Sequence, residues 1–546
     1  MCIAAHNAGR RPAVCYPSPV RNIRRNAWLL ALLSSLLQVV IYPLPGLYWL
    51  SWIAFAPLLL AVLQARRPAA GQLDDSGLIP ASSWQGFLLG YLSGILWYAG
   101  TCYWVYDTMH IYGGLSAPLA LLVVFLFCLY LGLYHGAFGL VLALLAGSRS
   151  PIRRFALLVV PFLWVALELA RTRVTGFPWD LLGTVQVDNV ALAQVAKFTG
   201  VYGLSFEILL VNTALALAFL VAPARRGRVI TAALVAALVL QACRWIPSSA
   251  QPANRMAVLV QSNVPILDPA SWTTDYFRGT LSGLEQVSMA GVHSAEKPPE
   301  LIAWPESPAP FYTSDPVFRV AITNLARSTR TPIVAGSIGT TNAMHSGGTT
   351  QAFNSAALVN SSGDWTGRYD KIHLVPFGEY LPFPSVFSFA GGLVDQVGSF
   401  TRGKSRQPLL VSGEPYGVFI CYEAIFPDEV RQFARNGAQV FLNISNDGWY
   451  GDSGAYAQHL LQARMRAIEN QRWILRDTNT GVSASIDPHG HVVSTIPRKQ
   501  RAALIASYAL QNETTFYTRH GDWFAYLCAI ISLAALAMRL LSPEKA

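Results

Sequence analysis

The sequence predicts a polytopic α-helical membrane protein that carries one large α/β domain outside the membrane. Three observations carry that reading. Of 546 residues, 53% are hydrophobic and 13% charged, against about 25% charged in an ordinary globular chain. The apolar excess collects in residues 27–246 and again in 523–541, while the stretch between them has the composition of a soluble domain. Within that stretch, short β-branched runs alternate with helix-like segments, the pattern of an α/β sandwich. The same arithmetic excludes a secreted disulfide scaffold, a disordered chain and a simple cytosolic enzyme.

A helix needs about 20 apolar residues to cross the hydrocarbon core. Eight segments qualify: 27–44, 47–65, 84–105, 117–146, 155–171, 203–222, 229–246 and 523–541. The fourth is long for one crossing and short for two, which predicts tilt or extension beyond the bilayer. The first has a basic flank but no small-x-small cleavage site, and a second apolar segment follows, so it reads as a retained span rather than a signal peptide.

Basic residues alternate between loops. Arg10, Arg11, Arg21, Arg24 and Arg25 precede the first span, Arg66 and Arg67 follow the second, Arg149, Arg153 and Arg154 the fourth, and Arg225, Arg226 and Arg228 the sixth. Cytoplasmic loops hold the excess of Lys and Arg, so both termini are expected in the cytoplasm. The organisation reads as a basic tail at 1–26, a seven-helix membrane domain at 27–246, an extracytoplasmic domain at 247–522, and an eighth span with a short tail at 523–546. This loop bias also accounts for the net charge of +10, so no nucleic-acid partner is expected.

Seven cysteines fall at 2, 15, 102, 128, 243, 421 and 528, and only Cys421 belongs to the extracytoplasmic domain. A disulfide framework is unavailable there, and a lone thiol in an oxidising compartment needs a reason. Expected strands cover 256–261, 301–304, 332–336, 355–359, 416–421 and 440–444, with helices at 317–327, 428–436 and 456–469. Three strand ends carry reactive groups: Glu306 in Trp-Pro-Glu-Ser, Lys371 in Tyr-Asp-Lys-Ile-His, and Cys421 in Ile-Cys-Tyr-Glu. The set is chemically coherent. A thiol becomes a nucleophile when a base takes its proton or a cation lowers its pKa, and an ammonium also stabilises the oxyanion of a tetrahedral intermediate.

Glu306, Lys371 and Cys421 in these contexts resemble the catalytic set of the nitrilase superfamily, which is built on an αββα sandwich. Nearly the whole of 27–541 resembles one membrane-bound branch of it, the bacterial apolipoprotein N-acyltransferase family. The motifs are Thr175-Gly176-Phe177-Pro178-Trp179, Trp304-Pro305-Glu306, His373 through Glu379, Cys421-Tyr422-Glu423 and Asn443 through Asp447. The resemblance implies an inner-membrane enzyme with a periplasmic nitrilase-like catalytic domain. It implies ping-pong acyl transfer from a phospholipid, typically phosphatidylethanolamine, through a thioester on Cys421 to the N-terminal α-amine of diacylglyceryl-Cys apolipoproteins. Glu306 is then the general base, Glu379 supports Lys371, and Tyr422 and Glu423 act beside the nucleophile. Neither metal nor other cofactor is implied.

The Phe- and Gly-rich stretch 381–400, with Phe387 and Phe389, reads as an apolar arm toward the bilayer, and Trp449 as a second lipid contact. Glu168 and Glu207, near the outer ends of their spans, read as structural support. His489-Gly490-His491 has metal-like spacing but sits in a turn sequence without further ligands nearby. Two rival functions weaken on the sequence. A tethered amidase has no need of eight spans, and a transporter does not explain a complete Cys/Glu/Lys set.

Overall fold

The computed structural model of the chain describes residues 24–66, 78–147, 156–221, 223–245, 250–267, 269–341, 350–380 and 400–541. Between the two apolar regions the chain builds two six-stranded sheets. One has the order β12-β1-β2-β3-β4-β5, from β1 (Arg255–Gln261), β2 (Leu301–Trp304), β3 (Ile333–Thr340), β4 (Ala352–Val359), β5 (Trp365–Asp370) and β12 (Ala502–Tyr508). The other runs β11-β10-β9-β8-β7-β6, from β6 (Leu409–Val411), β7 (Glu414–Ile420), β8 (Val440–Ser445), β9 (Ile474–Thr478), β10 (Ser483–Ile486) and β11 (Val492–Ile496). In each, three parallel strands (β1-β2-β3 and β7-β8-β9) are flanked by antiparallel ones.

Strand alternation explains the layering. Ala257, Leu259, Leu301 and Ala303 point into the core between the sheets, where they meet Val418, Ile420, Leu442 and Ile444. Their neighbours Val258, Val260, Ile302 and Trp304 point the other way, onto helices Thr274–Ser294 and Pro316–Thr329. Helices Pro427–Arg435 and Ala455–Asn470 cover the second sheet. Strands buried on both faces read as continuous apolar runs, which is why the central strands were visible in the sequence. The result is the αββα sandwich.

Among the described residues, three helices are long and apolar enough to cross a membrane by length and composition: Ala117–Ala146, Val201–Leu220 and Trp523–Leu541. The first is one continuous 30-residue helix, about 45 Å long at 1.5 Å per residue. Other expected spans are occupied by helices Arg25–Val40, Ser83–Thr101, Ala156–Ala170 and Pro223–Gln241. The segment expected at 47–65 is interrupted, forming Ser51–Ala54 and Ala56–Leu63 with Pro57 in the first turn of the second piece. Asn212 heals that break. Its Oδ1 accepts from the amides of Phe55 (2.8 Å) and Ala56 (2.9 Å), and its Nδ2 donates to the Ser51 carbonyl (2.8 Å). In an apolar bundle a neighbouring helix must satisfy the backbone groups that such a break sets free.

Candidate active site

The candidate site lies at the C-terminal ends of the parallel strands β2, β7 and β8, where open α/β sheets place their ligands, with edge strand β5 delivering its C-terminal end to the same place. Glu306 follows β2, Lys371 follows β5, Cys421 follows β7 and Asn446 follows β8. Getting Glu306 there requires a close approach. A Cβ on Gly336 of β3 would fall 2.0 Å from the Pro305 carbonyl oxygen, so only glycine fits beside the Pro305-Glu306 turn.

Lys371 is 1% exposed and stands between two carboxylates. Its Nζ donates to Glu306 Oε1 at 3.1 Å and Glu379 Oε1 at 2.9 Å. Burial lowers an ammonium's pKa, but Glu306 and Glu379 outweigh it and hold Lys371 above the ordinary lysine value, so it is charged. Backbone amides fix the far oxygens: Asn446 N reaches Glu306 Oε2 at 2.9 Å, and Val375 N reaches Glu379 Oε2 at 2.7 Å. Asn354 of β4, which sequence reasoning missed, donates from Nδ2 to both Glu306 (2.7 Å) and Glu379 (2.6 Å). Its only sequence signal is an amide side chain, followed by Ser355, inside a mostly apolar strand.

Cys421 opens the 3₁₀ turn Cys421–Ile425. It is close enough to Glu306 and Lys371 for both charges to act on it. Burial pushes the Cys421 thiol up, Glu306 adds to that and Lys371 opposes it, so the resting group is a thiol rather than a thiolate. A buried thiol in that state needs a base to react. Glu423 ties the turn to the Lys371 loop. Its carboxylate accepts from Ile420 N (2.7 Å), Ile372 N (2.7 Å), His373 N (3.1 Å) and, at both oxygens, the Tyr369 hydroxyl (2.8 and 2.9 Å). Tyr422 is buried, and its hydroxyl lies 3.5 Å from the Gly176 carbonyl, which it faces as a donor. The Thr175–Trp179 motif therefore meets the residue next to the thiol.

The other sequence candidates are placed as follows. Trp449 is half-buried, edge-on to Tyr112 (5.8 Å), with its carbonyl accepting from Thr108 Oγ1 at 3.1 Å. Phe387 and Phe389 lie outside the described residues. Glu168 accepts from Leu182 N at 2.7 Å and Glu207 from Gln241 Nε2 at 2.7 Å, both as structural partners. Asp487 Oδ1 caps the amides of His489 (2.8 Å) and His491 (2.9 Å) in the turn closed by Gly490.

The double sheet and its strand-end carboxylate, ammonium and thiol define the class. Residues 260–516 match the carbon-nitrogen hydrolase family, so this is a nitrilase-like domain. Residues 34–214 match the family described as the apolipoprotein N-acyltransferase N-terminal domain. Apolipoprotein N-acyltransferase of Geobacter metallireducens is 36% identical over 95% of this chain and 96% of its own. That of Methylococcus capsulatus is 34% identical over 89% and 94%, and that of Pseudomonas aeruginosa PAO1 32% over 85% and 88%. The chain belongs to the apolipoprotein N-acyltransferase family, and it is an N-acyltransferase.

Proposed function

We propose that the chain moves an acyl chain from a phospholipid, phosphatidylethanolamine foremost, to the N-terminal α-amine of diacylglyceryl-Cys apolipoproteins. The supporting observation is Lys371 held between Glu306 and Glu379, in the same site as the buried Cys421, whose thiol burial pushes up. Glu306 takes the thiol proton as sulfur attacks the ester carbonyl, and Lys371 stabilises the oxyanion. The intermediate expels the lysophospholipid alkoxide, which recovers that proton from Glu306 and leaves a thioester. The lipoprotein amine then attacks the thioester, gives its proton to Glu306, and the returning thiolate is reprotonated as the amide forms. Glu379 holds Lys371, Glu423 and Tyr422 hold the turn, and Trp449 meets lipid at the junction with the membrane domain. In this reading all eight apolar segments span the inner membrane, both termini are cytoplasmic, and residues 247–522 are periplasmic.

The test is to incubate the purified protein with labelled phosphatidylethanolamine alone and map adducts by mass spectrometry. A hydroxylamine-labile chain on Cys421, discharged into an amide by a diacylated lipopeptide, is the expected result, and Cys421→Ala abolishes it. Free fatty acid in stoichiometric excess without transfer would make the enzyme a hydrolase. Adduct formation by Cys421→Ala would remove the thiol from the reaction.

A further inference from the structure

Cys421 has φ +48°, in the left-handed region. For a residue with a Cβ that conformation is strained, and it persists only where the surroundings fix it. Two groups grip it. On the N-terminal side Ile420 N donates to Glu423 Oε2 at 2.7 Å. On the C-terminal side the carbonyl of Cys421 itself faces His459 Nε2 at 3.0 Å. A carbonyl only accepts, so Nε2 carries the hydrogen and is spent on the backbone.

His459 is fully buried on helix Ala455–Asn470. Its Nδ1 lies 3.0 Å from Asp447 Oδ1 and 3.2 Å from Arg476 Nη2. Asp447 is itself held by Ser445 Oγ (2.7 Å) and Arg476 Nη2 (2.8 Å), and Arg476 also bonds Asn443 Oδ1. One face of the imidazole stacks on Trp179 (centroids 5.9 Å, 26° between planes), and Tyr450 meets it edge-on. Trp179 comes from the membrane domain. Its Nε1 donates to Gln458 Oε1 at 2.8 Å, and Arg171 Nη1 donates to its carbonyl at 2.7 Å.

We infer that His459 is a positioning residue for acyl transfer: it holds the Cys421 carbonyl, and so the left-handed turn that aims the thiol, while Trp179 of the membrane domain forms the wall it rests on. This rests on the reading of Cys421 as nucleophile. The imidazole takes no proton from the thiol. Its part is to fix the turn so that Sγ keeps its place beside Glu306 and Lys371.

Two substitutions in the full-length protein separate the bonds. In His459→Gln the amide nitrogen reaches the place of Nε2, so the bond to Cys421 survives. In His459→Asn the amide reaches only as far as Nδ1, so the Asp447 contact survives without it. Pre-steady-state acylation reads both the burst amplitude, which counts live thiols, and the rate constant per thiol. Alkylation of Cys421 by iodoacetamide repeats the rate measurement without lipid. We expect His459→Asn to acylate about 10²-fold more slowly per thiol, as a misplaced nucleophile does, and His459→Gln to stay within about tenfold of wild type. Trp179→Leu slows the same step, and Trp179→Phe does so less. Reduced amplitude with an unchanged rate constant in His459→Asn would overturn the inference, because a merely structural role does only that. If neither His459 variant folds, equal rates for Trp179→Leu and Trp179→Phe would overturn it. A wild-type protein alkylated at Cys421 but never acylated would instead indict the proposed donor, leaving the alkylation rates to decide the role of His459.

Discussion

At Asn354 one amide nitrogen serves two carboxylates that share a single ammonium. The flipped amide would turn its oxygen toward both carboxylates, so the orientation is set by electrostatics. Asn354→Asp puts three carboxylates around Lys371. Like charges that close cannot all ionise, the cluster takes up a proton, and Glu306 is no longer free as a base. Acyl transfer should fall by at least about 10²-fold, the usual worth of a general base, with the far-ultraviolet dichroism unchanged. Wild-type turnover would mean that Glu306 does not act as a base. Lys371→Arg should also fail despite keeping the charge, because a planar guanidinium does not fit a compact ammonium's fully enclosed place. Glu306 and Cys421 were legible in the sequence because each stands at the end of an apolar run, and Lys371 because it opens the run Lys-Ile-His-Leu-Val-Pro-Phe-Gly-Glu. Asn354 and His459 were not, since their partners are 25 to 48 and 38 residues away. A single sequence carries no signal for such distant pairings.

Among the elements, the two site-bearing loops depend on one side chain. Glu423 is surrounded by donors alone, three backbone amides and the Tyr369 hydroxyl. Glu423→Gln is nearly isosteric but turns an N–H group toward those donors, so stability should drop by about 1–3 kcal/mol, read by denaturant unfolding. An unchanged midpoint would show that the brace is slack. His373 in the same loop stacks on Phe426 with centroids 3.6 Å apart. Burial first, then Arg402, Arg406 and Lys371, lower its pKa to about 4. Unfolded, the imidazole titrates near pH 6.5, so between those values the unfolded state binds more protons and stability rises with pH. This contribution is complete above about pH 6.5 and is lost as pH falls toward 4. His373→Gln should flatten the stability profile in that window, and a parallel profile would refute the assignment. Apolar runs announced β1 to β4, β7 and β8, whereas β5, β6 and β9 to β12 went unanticipated. β9 reads Ile-Leu-Arg-Asp-Thr, and its Arg476 is buried because it meets Asp447 and, on the neighbouring strand β8, Asn443. Propensity cannot anticipate a buried charge whose partner lies on another strand.

For the whole molecule, catalytic sandwich and helical bundle are joined by specific polar bonds rather than by a tether. Glu469 Oε1 accepts from Val201 N at 2.9 Å, so a carboxylate of the sandwich caps the start of helix Val201–Leu220. The Tyr103 hydroxyl accepts from Gly454 N at 2.9 Å, and Gln458 Nε2 donates to the Thr101 carbonyl at 3.1 Å. Arg173, in the loop ahead of Trp179, bridges Asp428 (3.2 Å) and Asp522 (2.6 Å) where the chain turns into its last helix. The Asp522 side chain is 1% exposed but that of Arg173 is 39% exposed. Solvent therefore screens the pair, yet removing the arginine strands a buried carboxylate whose remaining partner is the Tyr517 hydroxyl at 2.8 Å. Arg173→Ala should destabilise by about 1–3 kcal/mol, less than a fully buried pair would lose. In an Asp522→Asn background the same change should cost about 1–2 kcal/mol less, because no charge is left stranded. Unfolding of the four proteins in one detergent measures the cycle. Additive effects would show that this pair does not fasten the sandwich to the bundle, and the join would then rest on Glu469, Tyr103 and Gln458. A coupled cycle accompanied by slower acyl transfer would mean that the bundle does more than anchor the sandwich. It would also keep the Trp179 wall, and the turn behind it, in place for the thiol.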